Sequence, residues 1–165
     1  MNVKNIKINY FLDTIIVLLI FFFDRISKII VINLDENSFS DYLFASKFLN
    51  IHLIWNKGIA FGLFSFDQDK FYSFLTIFIF VIVLIILFMI FKSRGIKKYA
   101  LLMIFGGALG NLYDRMSFKA VPDFIDFHIG DLHWFIFNVA DIFISIGVIL
   151  MIILEFTDTK KANEI

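Results

Sequence analysis

The sequence predicts an all-α membrane protein with four transmembrane helices and a small extracytoplasmic region of β-like and amphipathic loop. Three observations point there. Hydrophobic residues make up 60% of the 165-residue chain, charged residues 18%, and mean hydropathy is +0.86, whereas soluble domains run at about 45–50% apolar and about 25% charged. The apolar residues gather in four runs, on the scale of the roughly 20 residues that cross a bilayer as a helix. Basic residues cluster in every second connection. The 165 residues suit one integral membrane domain. Net charge is zero, which argues against nucleic acid as a partner. The absence of cysteine excludes a disulfide, a thiol nucleophile and a thiolate metal site.

The first run, 10–31, follows a short basic start with Lys4 and Lys7. It resembles a secretory leader, but Asp24-Arg25 stands where small residues would mark a cleavage site, so it reads as a retained helix. Asp24 and Lys28 are four apart, share a helix face, and are placed to pair. The connection 32–70 is the longest polar region. Its run from Phe48 to Trp55 alternates well enough for a short strand, and Asn56-Lys57-Gly58 follows as a turn. An amphipathic surface segment fits 64–74. The second span, 71–91, is uncharged and ends in the basic loop of Lys92, Arg94, Lys97 and Lys98. The third, 99–113, carries Gly106-x-x-x-Gly110, a small-residue stripe for close helix approach. A loop over 114–136 leads to the fourth, 137–156.

Charge placement sets the orientation. The N-terminus, the loop after span two and the C-terminus are basic. The 32–70 loop sets Lys47, Lys57 and Lys70 against Asp35, Glu36, Asp41, Asp67 and Asp69. The positive-inside rule then puts both termini in the cytoplasm. Asp24, Lys28, Asn56, Gly58, Asn111, Asp114, Asp123, Asn138 and Asp141 all come to the outer face. Carboxylates near hydrocarbon persist for function or in protected pairs.

Two carboxyls held close do not both ionise readily, so one keeps a proton. The ionised partner then draws a proton from water while the other polarises a carbonyl, as in aspartic proteases. His52, His128 and His133 lack metal-ligand spacing, and the chain calls for no metal or cofactor. The residues leave the pair open. Two Asn-x-x-Asp boxes, Asn111/Asp114 and Asn138/Asp141, suggest Asp114 with Asp141. Asp123, after a proline that pushes Val121 towards extended geometry, competes with Asp114, which has Arg115 beside it. Asp126 and Asp131 read as solvated loop carboxylates. A small proton-coupled transporter using the outer carboxylates is the alternative function.

Several ordered motifs resemble the lipoprotein signal peptidases (signal peptidase II) of bacteria. Asp24-Arg25-Ile26-Ser27-Lys28 is similar to D-Q-x-x-K, with Arg25 at the usual glutamine. Asn56-Lys57-Gly58-Ile59-Ala60-Phe61 matches N-x-G-x-A-F, and Gly106 to Arg115 matches G-G-A-x-G-N-x-x-D-R. Val121-Pro122-Asp123-Phe124-Ile125 resembles V-V-D-F-I, and Phe137-Asn138-Val139-Ala140-Asp141 matches F-N-x-A-D. The departures at Pro122 and Ile142, where Val and Ser are commoner, leave the aspartates in place. The resemblance implies removal of signal peptides from prolipoproteins, with cleavage on the amino side of a diacylglyceryl-modified cysteine. It implies Asp123 and Asp141 as catalytic residues, and Asn111, Asp114, Arg115, Asn138 and Ala140 as shaping the site. Asn56 and Gly58 would belong to a covering outer loop, and Asp24 with Lys28 would brace the first helix. It further implies lipidated prolipoprotein substrates, a membrane lipid environment, the bacterial cytoplasmic membrane as location and globomycin as inhibitor.

Overall fold

The protein is described from a computed structural model covering residues 3–58 and 68–163; for 3–9, 68, 69, 71, 134 and 158–163 it gives the backbone alone. Four long helices dominate: α1 (Val3–Glu36), α2 (Gln68–Lys92), α3 (Gly95–Phe118) and α4 (Val139–Asn163). The strands are β1 (Phe44–Ala45), β2 (Leu49–Asn56), β3 (Val121–Ile129) and β4 (Leu132–Phe137). They form one antiparallel sheet in the order β1-β2-β3-β4.

The sheet is larger than the small β-like region expected beside the helices. The strand expected in the first outer loop is present as β2, but most of the expected 114–136 loop, from Val121 on, is a hairpin that completes the same sheet. The sequence hid this because the partner of β3 is β2, about seventy residues earlier. Pro122 is compatible with a strand here because it pairs with Trp55 of β2 on one side, while the β3–β4 ladder begins only at Ile125↔Phe137. Its missing N–H therefore breaks no bond to β4. Both ladders shift register once, between Ile51 and Ile54 and between Asp126 and His128, as a bulge of one extra residue does.

The helices also run further than the apolar runs. α3 continues past 113 to Phe118, because Asp-Arg-Met-Ser-Phe contains no glycine or proline. It stops at Lys119, in the left-handed conformation at φ 54°. Asn111 and Asp114 thus lie inside a helix. The segment expected at 64–74 lies partly outside the described residues, and its remainder opens α2.

Within the described residues, Tyr72–Lys92 and Val139–Thr157 are long and apolar enough to cross a membrane by length and composition. Phe74, Ile77, Phe88, Ile149 and Phe156 all point outward, an apolar surface suited to lipid rather than water. α1 and α3 are interrupted by buried polar side chains. At one end of the bundle Ile86, Ile90, Leu101 and Leu102 pack with Ile16, Val17, Ile104, Phe105 and Met151. The sheet packs on α1 and α3.

Small residues let the helices approach. A Cβ on Gly106 would stand 3.0 Å from the Ile20 side chain, and one on Gly110 would stand 2.5 Å from Asp24 Oδ2. The expected stripe therefore packs on α1. Gly107 faces α4, where a Cβ would meet Ala140 O at 2.5 Å; Gly147 of α4 returns the contact, 2.6 Å from Ala100 O. A backbone oxygen cannot rotate away as a side chain can. Gly107→Ala therefore forces α3 and α4 apart, and thermal unfolding in detergent should show a loss of about 1–3 kcal/mol. An unchanged melting temperature would show that this contact does not set the helix spacing.

Candidate active site

The polar residues gather where α1, α3 and the start of α4 meet the sheet. At the centre lie four buried charges. Lys28 Nζ donates to Asp24 Oδ2 at 2.9 Å and to Asp114 Oδ2 at 2.7 Å. Arg25 Nη2 donates to Asp114 Oδ2 at 2.8 Å and to Asp24 Oδ2 at 3.1 Å, and Nη1 forms an ion pair with Asp114 Oδ1 at 2.5 Å. Hydrogen bonds between ionised partners are stronger than those between neutral ones. The Arg25 guanidinium also lies over the Tyr113 ring, 4.9 Å from its centroid. Asp24 and Lys28 pair along their helix face as the spacing predicts. Arg25 is the residue that sequence reasoning missed; its one signal was a charge at a position where glutamine is usual.

The two Asn-x-x-Asp boxes have different structures. Asn138/Asp141 is a capping box at the start of α4: Asp141 N donates to Asn138 Oδ1 at 3.1 Å, and Asn138 N donates to Asp141 Oδ2 at 3.1 Å. Such reciprocal bonds satisfy donors that a helix start leaves free. The next free donor, Ala140 N, goes to Asp24 Oδ1 at 3.1 Å. Asn111/Asp114 instead sits within α3, and Asp114 turns to the α1 cations. Asp114 is therefore hydrogen-bonded to Lys28 and Arg25, while Asp141 is linked through Asn138 to Asp123.

Three asparagines carry these links. Asn138 Nδ2 donates to Asp123 Oδ1 at 2.6 Å, Asn56 Nδ2 to Asp123 Oδ2 at 2.8 Å, and Asn111 Nδ2 to Asp141 Oδ1 at 2.8 Å. Each amide's orientation is fixed by a donor on its carbonyl: Asp141 N on Asn138, Gly58 N on Asn56 at 2.7 Å, and Lys28 Nζ on Asn111 at 2.8 Å. An amide has one acceptor end and one donor end, so all three present N–H groups to the aspartates. Gly58 holds its position at φ +74°, and a Cβ there would meet Leu75 at 2.7 Å.

Asp123 is buried on β3 and Asp141 partly exposed in the first turn of α4. Burial pushes the Asp123 carboxyl up to about 6, and the Asp141 charge adds to the rise; the Asn56 and Asn138 donors and Lys28 oppose it. The described residues contain no group of three or more His, Asp or Glu side chains suited to a metal ion.

Of the supporting residues expected at the site, Arg115 touches this network only at the Asn111 backbone. It donates to Asn111 O at 3.2 Å, and its own carbonyl accepts from Tyr72 of α2 at 3.3 Å. Asp126 is also corrected: it is buried, 2.8 Å from His133 Nδ1 and 3.4 Å from Asn50 Nδ2. Strand pairing encloses it, which no local pattern announces. Asp131 is exposed, as expected.

Residues 16–157 match the family described as Signal peptidase (SPase) II. The lipoprotein signal peptidase of Pelagibacter ubique (strain HTCC1062) is 50% identical over 165 residues, covering 99% of each chain. That of Aquifex aeolicus (strain VF5) is 44% identical over 145 residues, covering 87% of this chain and 84% of its own. Two solved bacterial membrane enzyme structures superpose with TM-scores of 0.69 and 0.74 at 31% and 32% identity. The first covers 90% of each chain; the second covers 88% of this chain and 93% of its own. With a family match over most of its length and a relative half identical from end to end, this chain belongs to the signal peptidase II family.

Proposed function

We propose that this protein is an aspartic endopeptidase that removes signal peptides from diacylglyceryl-modified prolipoproteins, cutting on the amino side of the lipidated cysteine, with Asp123 and Asp141 as its catalytic pair. One observation carries the aspartic assignment: Asn138 donates to Asp123 while its backbone N–H and side-chain oxygen engage Asp141. Two carboxyls from different elements are thereby held on one residue, Asp123 by the side-chain amide of Asn138 and Asp141 by its backbone N–H.

Their surroundings divide the work. Asp141 stands at a helix N-terminus, where partial positive charge favours an anion, and accepts from Asn111 and Asn138. Asp123 is buried, which favours its proton. Asp141 takes a proton from water as the water oxygen attacks the scissile carbonyl carbon. Asp123 donates to the carbonyl oxygen. Collapse of the tetrahedral intermediate breaks the C–N bond: the departing amine takes the proton from Asp141, and the hydroxyl formed from the carbonyl oxygen returns its proton to Asp123, leaving the new carboxyl terminus. Asn56, Asn111 and Asn138 hold the pair, Gly58 and Ala140 give the backbone its close approaches, and Asp24, Lys28 and Asp114 support it from α1 and α3. Arg115 supports α3 against α2.

The same reading makes 1–165 one integral domain with four spans, both termini cytoplasmic and the site at the extracytoplasmic face of the bacterial cytoplasmic membrane. A lipidated cysteine keeps the scissile bond at that surface, beside membrane lipid. Globomycin is the expected inhibitor. The transporter alternative draws no support from the family, and residues 14–23 between Asp13 and Asp24 of α1 carry no charge to relay a proton.

Purified protein should cleave a diacylglyceryl-modified prolipoprotein, and globomycin should stop it. Asp123→Asn and Asp141→Asn should each remain folded and lose at least about a hundredfold in rate, the low end for general acid–base catalysis. Full processing by either variant would sink the assignment.

The raised carboxyl also predicts a pH effect on stability. The folded state holds the Asp123 proton more tightly than the unfolded chain, so the stabilisation is complete below 3.8 and lost as pH rises through about 6. Melting temperature between those limits should fall more steeply for the wild type than for Asp123→Asn. Parallel curves would show that Asp123 does not hold the extra proton.

A further inference from the structure

We infer that Lys28 is a positioning residue for the cleavage reaction, acting through Asn111 to fix an N–H donor on Asp141; the inference rests on the aspartic reading above. Lys28 is fully buried, yet only two of its three hydrogen bonds go to carboxylates. The third, at 2.8 Å, goes to the side-chain oxygen of Asn111. An ammonium has donors and no acceptor, so Asn111 can face Lys28 only with its oxygen. The other end of the amide, its nitrogen, then meets Asp141 Oδ1 at 2.8 Å.

Without Lys28, nothing described on this side would hold the amide in that sense. Turned over, Asn111 would present an oxygen to a carboxylate oxygen, which disfavours the ionised form needed to activate water. Bracing α1 does not require this third bond, since Asp24 and Asp114 already anchor the ammonium. Asn111 thus converts a buried positive charge on α1 into a directed donor on α4.

The charged groups around Asp141 define the test. Asp24, Arg25 and Lys28 come from α1, Asp114 and Arg115 from α3, and Asp123 from β3. Lys28→Met alone leaves an uncompensated buried carboxylate and risks unfolding. Lys28→Met with Asp114→Asn removes one charge of each sign and leaves Asp24 facing Arg25. The readout is the acidic limb of kcat/KM for a diacylglyceryl-modified prolipopeptide, which follows ionisation of the base in free enzyme.

Losing that donor takes away a hydrogen bond to the ionised form of the base. The limb should therefore move up by roughly one pH unit in the double variant relative to Asp114→Asn alone. Asn111→Leu should shift it similarly, and the triple variant should add nothing further. A limb unmoved in the double variant, or additive shifts in the triple, would overturn the inference, because Lys28 would then act on helix packing or by its own charge. Cleavage retained by Asp123→Asn or Asp141→Asn would instead strike the aspartic reading on which it rests.

Discussion

Two positive and two negative side chains lie buried together between α1 and α3, and the links to Asn111 and to the start of α4 run from that cluster. Asp24, Asp114, Lys28 and Arg25 sum to zero. Desolvating an ion carries a penalty of several kcal/mol that attraction repays only when geometry and hydrogen bonding are good. Here each carboxylate meets both cations. The arrangement also fixes relative helix position, because an ammonium with set partners at 2.7–2.9 Å tolerates little sliding. Gly110 makes room for it, since any side chain there would meet the Asp24 carboxylate.

From this cluster the order spreads outward through groups with two distinct ends. Asp24 meets the cations and, through Oδ1, also accepts from the α4 backbone at Ala140 N. Asn111 uses its oxygen on Lys28 and its nitrogen on Asp141; Asn138 uses its oxygen on α4 and its nitrogen on Asp123. Asn56 repeats the device from the sheet side, anchored on the Gly58 backbone. Aspartate in place of any of these asparagines would set a third carboxylate against the pair and lose the directed donor. The amide's polarity, as well as its size, is what these positions require.

Much of this was legible in the chain because it rests on local spacing. Apolar runs gave four helices, an i,i+4 spacing paired Asp24 with Lys28, and the small-residue stripe marked a helix contact. What escaped was non-local. β3 and β2 are adjacent only after α2 and α3 have intervened, so the hairpin read as a loop and Asp126 as solvated. The two Asn-x-x-Asp boxes looked equivalent because spacing alone cannot distinguish a helix interior from a helix start, where free N–H groups create the capping box. Arg25 was passed over because its partner Asp114 lies 89 residues away. The motif match singled out Asp123 and Asp141 before any geometry did. The geometry independently separates Asp114 from them by giving it to the cations.

A site of this kind needs two opposed surroundings, and the fold supplies them from different sources. Packed helices satisfy their own backbone, but the space between them is a poor setting for charge unless it is balanced internally, as it is around Lys28. A sheet at the bundle end can instead present a carboxyl from a strand that is buried by protein rather than by lipid. Asp123 comes from such a strand, where burial presses it towards its neutral form, and Asp141 from a helix start, partly exposed and bonded to two N–H donors. Two aspartates on the same helix would share one environment and lack that difference. The junction of sheet and bundle is therefore the part of this fold where an asymmetric carboxyl pair arises from the architecture itself.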